Sequence, residues 1–218
     1  MKVDVVRNIL EANDAVAAEL NTEFTNRGIL AINLMSSPGS GKTTLLERTL
    51  TDLKKEFSFA VVEGDCQTEN DARRVAATGA RAVQINTEGG CHLDSSMVRD
   101  ACRKLGLDDT DILVVENVGN LVCPAEFSVG EDYKVTILSV TEGDDKPEKY
   151  PFIFAESRVM ILNKVDLLPY VNFDMDRASR FARSINKDIE IFPLSATTGQ
   201  GMEAWYAWLR RERAKKSR

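Results

Sequence analysis

Apolar positions recur at helical spacing near the N-terminus, then give way to short apolar runs that alternate with further helical stretches. Between Val3 and Arg27, the residues Val6, Ile9, Leu10, Ala17, Leu20 and Phe24 fall on one helical stripe. Asn26-Arg27-Gly28 closes it, since Gly28 is free to take the left-handed backbone of a helix stop. Strands are predicted over Ile29–Met35, Phe59–Val62, Ala82–Ile85, Asp111–Glu116, Lys134–Val140, Arg158–Leu162 and Ile189–Phe192. Helices are predicted between them over Lys42–Lys55, Glu69–Thr78, Leu93–Leu105 and Asp174–Ile185, with Met202–Arg213 last. Continuous Val/Ile/Leu strands are the kind that a parallel sheet buries on both faces. The alternation predicts an α/β fold: one mostly parallel sheet with helices on both faces, plus an N-terminal helix. Residues 1–28 are read as a helical segment packed on that domain, 29–213 as the domain, and 214–218 as a basic tail.

Length and charge narrow the function classes. A chain of 218 residues suits a single core. Its 28 Lys+Arg against 34 Asp+Glu give a formal charge of -6, which argues against general affinity for nucleic acid or an anionic membrane. The basic run Arg210–Arg218 is read as a solvated, fraying helix end in preference to an RNA or lipid contact. No run reaches the roughly 18–20 apolar residues of a membrane span, and the N-terminus lacks the apolar core of a signal peptide. The expected compartment is the cytoplasm, where Cys66, Cys91, Cys102 and Cys123 are thiols or metal ligands before they are disulfides.

The most specific chemistry lies in Ser36-Ser37-Pro38-Gly39-Ser40-Gly41-Lys42-Thr43-Thr44, between a predicted strand and a predicted helix. That context marks a P-loop. Gly39 and Gly41 let backbone N–H groups turn toward a phosphate, Lys42 carries charge to the β- and γ-phosphates, and Thr43 offers a hydroxyl to Mg2+. The usual pattern begins with glycine, and Ser36 stands there instead. Downstream, Asn163-Lys164-Val165-Asp166 follows a buried strand. The Asp166 carboxylate can accept two parallel hydrogen bonds from guanine, which adenine cannot donate. Lys164 would lie along the purine, Asn163 would tie neighbouring loops together, and a backbone N–H of Ser195-Ala196-Thr197 would meet the guanine O6. Together these strings predict one P-loop NTPase domain that selects GTP.

Two acids stand at predicted strand ends on the phosphate side, Asp65 and Glu116. Both are assigned to the magnesium and water sphere, without dividing the roles between them. Gly89-Gly90-Cys91-His92-Leu93-Asp94 and Asn120-Leu121-Val122-Cys123-Pro124 are both loops beyond strand ends, the edge where α/β sheets bind ligands. Cys91, His92 and Cys123 are open to two readings, three metal ligands or packed thiols beside a satisfied histidine. As ligands they leave a tetrahedral set one short, to be completed by water or by thiolates pooled in a two-fold dimer. Cys102 and Cys66 are read as packing or loop residues.

These strings, with Glu63-Gly64-Asp65, Glu116-Asn117-Val118-Gly119 and Ser139-Val140-Thr141-Glu142-Gly143-Asp144-Asp145-Lys146-Pro147, resemble the HypB family of nickel-incorporation GTPases. That family belongs to the SIMIBI class of P-loop GTPases, beside other hydrogenase and urease maturation proteins. The resemblance runs from about Val3 to about Trp208. It implies a GTP-dependent switch that dimerises and helps deliver nickel to nickel-iron hydrogenase, with a HypA-like nickel protein and the large-subunit precursor as partners. It also implies that Cys91, His92 and Cys123 are ligands, for Ni2+ or Zn2+. Hydrolysis of GTP to GDP is expected to be slow without a partner, since no arginine finger is identifiable within the chain. Residues 1–30 hold neither Cys nor His, so only the domain's metal site carries over. A urease or cobalamin maturation GTPase would not account for Cys-His-Leu-Asp, and a small-molecule kinase would leave Asn163–Asp166 without a purpose. A scaffold with a structural nucleotide would release no phosphate.

Overall fold

A computed structural model describes residues 2–65 and 70–216, with side chains over 7–64 and 73–216. Seven strands form one sheet: β1 Leu30–Ser36, β2 Phe59–Asp65, β3 Arg81–Asn86, β4 Ile112–Glu116, β5 Tyr133–Ser139, β6 Ser157–Asn163 and β7 Glu190–Pro193. Their order is β3-β2-β4-β1-β5-β6-β7, and every pairing is parallel. The Val/Ile/Leu runs of β1 and β4 are buried along their whole length, whereas the edge strand β3 is half-buried. The chain builds outward from β1 to β3, returns through β4, then crosses β1 to lay down β5, β6 and β7. Such a reversal leaves a crevice at the carboxyl ends of the strands around β1, where ligands bind open α/β sheets.

Helices cover both faces. The long ones are α1 Lys2–Asn26, α2 Lys42–Leu53, α3 Asn70–Ala77, α4 Ser95–Leu105, α8 Met175–Ile185 and α9 Met202–Ala214. One core cluster lies between the sheet and α2 and α9, centred on Leu46, Leu50, Trp205 and Trp208. A second joins α1 and α4 to the other face through Leu20, Phe24, Val98 and Ala101. Helix α1 stops at Gly28, whose φ is 67°, and Ile29 N–H returns to the Phe24 carbonyl at 2.8 Å. Of its predicted apolar stripe, Val6 lies outside the described side chains and Ile9 is 53% exposed. Among the described side chains of α1 the first buried one is Asn13, whose amide donates to the Ser128 carbonyl at 2.9 Å and whose oxygen accepts Ser95 N–H at 2.9 Å.

Four short elements had no counterpart in the hydrophobic pattern: α5 Cys123–Glu126, α6 Lys146–Lys149, α7 Pro151–Glu156 and a 3-10 turn over Val165–Tyr170. Each is too short for a helical period to register, and each contains a proline near its start or within it. Strand β2 also runs three residues past its predicted end, placing Glu63 inside the sheet.

As far as Lys216, the last residue described, the basic C-terminal run is held by ion pairs. Arg213 pairs with Asp111 at 2.8 Å, Lys215 with Glu212 at 2.7 Å and Lys216 with Asp132 at 2.6 Å. Burial alone would raise the Glu212 carboxyl, but hydrogen bonds from Lys215, Tyr133 and Arg211 outweigh it and bring the pKa down to about 2. A depressed carboxylate stabilises the fold fully above its ordinary value of 4.5, and the contribution fades as pH falls toward 2. Glu212→Gln is therefore expected to cost roughly 2–3 kcal/mol at neutral pH and less than half of that near pH 3. Urea denaturation at both pH values checks this; an equal deficit at each would remove the charge from the explanation. Among the described residues, no helix is long and apolar enough to cross a membrane.

Candidate nucleotide and metal site

Strand β1 ends at Ser36 and α2 begins at Lys42, so the predicted cradle is the turn between them. Gly39 and Gly41 have φ of 77° and 95°, backbone that other residues take only under strain. At Gly41 a Cβ would also lie 2.6 Å from Asn163 Nδ2. That amide donates to the Ser40 carbonyl at 2.9 Å, holding the cradle against the loop after β6. Lys42 Nζ donates to Ser36 Oγ at 3.0 Å, so the serine that replaces glycine serves the lysine as an acceptor. Ser40 Oγ lies 2.6 Å from Glu142 Oε1, which also accepts Ser139 N–H at 2.9 Å. Glu142, to which the sequence pattern assigned no role, thus pins the cradle to the loop beyond β5. Thr44 Oγ1 accepts from Arg74 at 3.3 Å, and Pro38 sits against Gly119, where an added Cβ would come within 3.1 Å of the proline backbone.

The loop after β6 faces the cradle. Asn163 is buried, and its Oδ1 accepts Lys164 N–H at 2.8 Å and Ala196 N–H at 3.2 Å. Lys164 takes a φ of 64° and reaches back to donate to the Gly39 carbonyl at 2.7 Å. Ser195 is buried and its Oγ accepts Thr198 N–H at 3.1 Å, closing the turn that carries Ala196. Asp166 Oδ1 is buried and has no hydrogen-bond partner among the described residues. Such an acceptor is costly to hold, by about 1–3 kcal/mol, and fits a ligand that brings donors.

Beneath the cradle lies a cleft of about 510 Å³, lined by Lys42, Thr43, Glu63, Arg74, Glu116 and Lys164 among others. Thr43 Oγ1 donates to Glu116 Oε1 at 2.7 Å, and Glu116 is 3% exposed. Glu63 stands in register with Glu116 on the adjacent strand and is also buried. Asp65 ends β2 opposite Asn86, and its side chain lies outside the described residues, as does Cys66. Glu63 and Arg74 were not picked out from sequence. An acid inside an apolar strand was the available signal for Glu63; nothing local distinguishes Arg74, which the fold brings to Glu47 at 2.6 Å.

The two thiol-bearing loops converge although their strands are not neighbours. Cys91 and His92 follow β3, Cys123 follows β4, and β2 lies between those strands. Leu93 crosses over β2 at Gly64, where a Cβ would sit 2.7 Å from the leucine side chain. One ligand atom each from Cys91, His92 and Cys123 then lie within 4.8 Å of one another, close enough to hold one ion. Cys91 Sγ is 3.4 Å from His92 Nδ1, and the imidazole stacks on Phe127 at 4.0 Å between centroids. Burial pushes the His92 pKa down, outweighing Asp94 and Glu126, and so favours the neutral, ligating imidazole. The Cys123 thiol is pushed up, first by its hydrogen bond with Cys91 and then by burial. Cys102 lies apart, buried in α4, where burial raises its pKa to about 12.

A parallel sheet in this order, with a lysine-bearing turn at the end of its central strand and a buried, unpartnered carboxylate oxygen two strands away, defines a P-loop nucleotide-binding protein of the GTPase kind. The family described as "CobW/HypB/UreG, nucleotide-binding domain" matches residues 30–193. The chain is 54% identical to the hydrogenase maturation factor HypB of Escherichia coli (strain K12), over 97% of this chain and 73% of that one. The crystal structure of HypB from Archaeoglobus fulgidus aligns with TM-score 0.87 at 37% identity, covering 93% of this chain and 99% of that one. HypB from Helicobacter pylori, crystallised in complex with nickel, aligns with TM-score 0.87 at 39% identity, covering 95% and 98%. The chain belongs to the HypB family of hydrogenase maturation factors.

Proposed function

We propose that this protein hydrolyses GTP as a nickel metallochaperone in the maturation of nickel-iron hydrogenase, with metal geometry and dimerisation coupled to the nucleotide. The observation that carries the reading is the closeness of Cys91, His92 and Cys123, with Cys123 only seven residues beyond Glu116, across the loop that leaves β4. Lys42 and the amides of Gly39–Thr44 would hold the phosphates, Pro38 would line their cradle, and Asp166 would choose guanine. Asn163, Lys164, Ser195 and Ala196 would hold the base loop in place. Thr43, Asp65 and Glu116 would form the magnesium and water sphere; the buried Thr43–Glu116 hydrogen bond supports an ion shared between them. Magnesium there would neutralise charge developing on the phosphates.

Nickel is the cargo, and zinc can occupy the same donors, tetrahedrally where nickel with thiolates can be planar. The γ-phosphate would order the loop from Glu116 to Cys123, an order–disorder switch. Gly119 packs against Pro38, so that loop already touches the cradle. A GTP-bound homodimer would pool the metal loops of two copies. Delivery would be to a HypA-like nickel protein and the hydrogenase large-subunit precursor in the cytoplasm. Turnover would be slow alone, because the sequence offers no identifiable arginine finger; Arg74 lines the cleft but pairs with Glu47 and Thr44.

Nickel affinity is expected to differ at least fivefold between the GDP form and the form with a non-hydrolysable GTP analogue, the lower end of ordinary coupling. Isothermal titration with each nucleotide, alongside the mass in solution, measures it. Equal affinities and an unchanged mass would remove the switch, since a ligand without differential affinity shifts nothing. Phosphate release, with Lys42→Ala as the control, separates a hydrolase from a scaffold.

A further inference from the structure

The loops that carry Cys91-His92 and Cys123 leave strands separated by β2, yet their ligand atoms must sit within a few tenths of an ångström of a metal's demands. A buried chain of polar side chains runs beneath them. Asn117 Oδ1 accepts the N–H of Leu93, the residue after His92, and the N–H of Val118, both at 3.0 Å. Asn117 Nδ2 donates to Asn33 Oδ1 at 3.2 Å. Asn33, fully buried on β1, donates to Glu131 Oε1 at 3.3 Å. The Glu131 side chain is 4% exposed and stands 4.0 Å from Lys134 Nζ. Lys134, in β5, donates to the carbonyl of Ala125 at 2.6 Å. Ala125 belongs to α5, the short helix that begins at Cys123.

The chain therefore starts one residue past His92, steps across β4, β1 and β5 in sheet order, and ends two residues past Cys123. Its other arms are tied as well: Glu131 Oε2 accepts Val129 N–H at 2.7 Å and Ser128 Oγ at 3.1 Å, so the carboxylate has little room to swing. A buried Asn, Glu and Lys in or beside apolar strands carry a desolvation cost. Fully partnered, they specify one arrangement.

We infer that Asn33, Glu131 and Lys134 are positioning residues of the metal site, an internal brace that sets the distance between the Cys91-His92 loop and Cys123. The inference rests on the metal-site reading above and extends it to residues that touch neither metal nor nucleotide. Groups that orient metal ligands typically change affinity about 10- to 100-fold when removed, and a brace one step further out belongs at the low end.

The test uses Lys134→Met, Glu131→Gln and their double variant in the full chain. Ni2+ is titrated while thiolate-to-nickel charge-transfer absorption is followed, with GDP affinity and thermal unfolding measured in parallel. Each single variant is expected to weaken Ni2+ about tenfold and to shift the charge-transfer bands, with GDP affinity unchanged. The double variant is expected to lose no more than the worse single one, because both cut the same chain. Folded variants with wild-type Ni2+ affinity and spectrum, or losses that simply add, would overturn the brace. Should Glu131→Gln fail to fold, Lys134→Met decides alone, since that side chain sits nearer the surface. Cys123→Ala in the same titration separates the two failures: if it binds Ni2+ unchanged, the metal site itself has been misplaced.

Discussion

Asp166→Asn is expected to weaken GTP about 100- to 1,000-fold and to turn the preference toward a xanthine nucleotide. The carboxylate would accept guanine's N1–H and N2 amino group together, a charge-assisted bidentate pair. Asparagine keeps the shape but presents an NH2 to at least one of those donors, so two N–H groups face each other in a closed pocket. An unsatisfied buried group costs about 1–3 kcal/mol, and the lost charge assistance adds a comparable amount, which together amount to two to three orders of magnitude. Xanthine carries a carbonyl where guanine carries its amino group, and so accepts the hydrogen that asparagine now offers. Asp166 Oδ1 is the atom on which this turns, being buried and without a partner among the described residues. Competition of GTP, XTP and ATP against a fluorescent GDP analogue is the measurement. Should the variant keep its GTP affinity, the guanine reading of this loop would be wrong, whatever the cradle binds.

Cys123→Ala is expected to lower nickel affinity about 100-fold while leaving GDP binding within a factor of two. Structural four-ligand zinc sites in small peptides release about 10–16 kcal/mol, or roughly 3 kcal/mol per ligand, which is two orders of magnitude. The thiol sits at the start of α5, half-buried beside Cys91, and does not line the phosphate cleft. Equilibrium dialysis with Ni2+, and separately with Zn2+, reads the first quantity; GDP-analogue fluorescence reads the second. A joint fall in both would mean that metal and nucleotide share a single site.

What could be seen in the sequence was contiguous. The proposed cradle is nine adjacent residues and the proposed base reader four, and every predicted strand from Ile29 onward has a counterpart in the sheet because Val/Ile/Leu runs signal burial without help from afar. What was hidden depends on neighbours far along the chain. Glu63 interrupts an apolar run and so reads as the end of its strand, yet β2 pairs on through it, in register with Glu116 of β4. Ile9 matches the helical stripe but stays exposed, while polar Asn13 is buried because Ser95 and Ser128 satisfy it. The C-terminal lysines and arginines resembled a loose end only while Asp111, Asp132 and Glu212 had no positions. Cys91, His92 and Cys123 were visible as residues, but that their loops meet over an intervening strand was not.

That meeting point makes Gly64 a fulcrum. The leucine next to His92 rests on the one position of β2 with no side chain, and the same glycine borders the phosphate cleft. On the proposed reading, a shift of the β2 tip on nucleotide binding would reach the His92 loop through the Gly64–Leu93 contact. A methyl group added there would press on Leu93 and, on the proposed reading, would lift the His92 loop away from Cys123 and weaken metal binding before guanine binding.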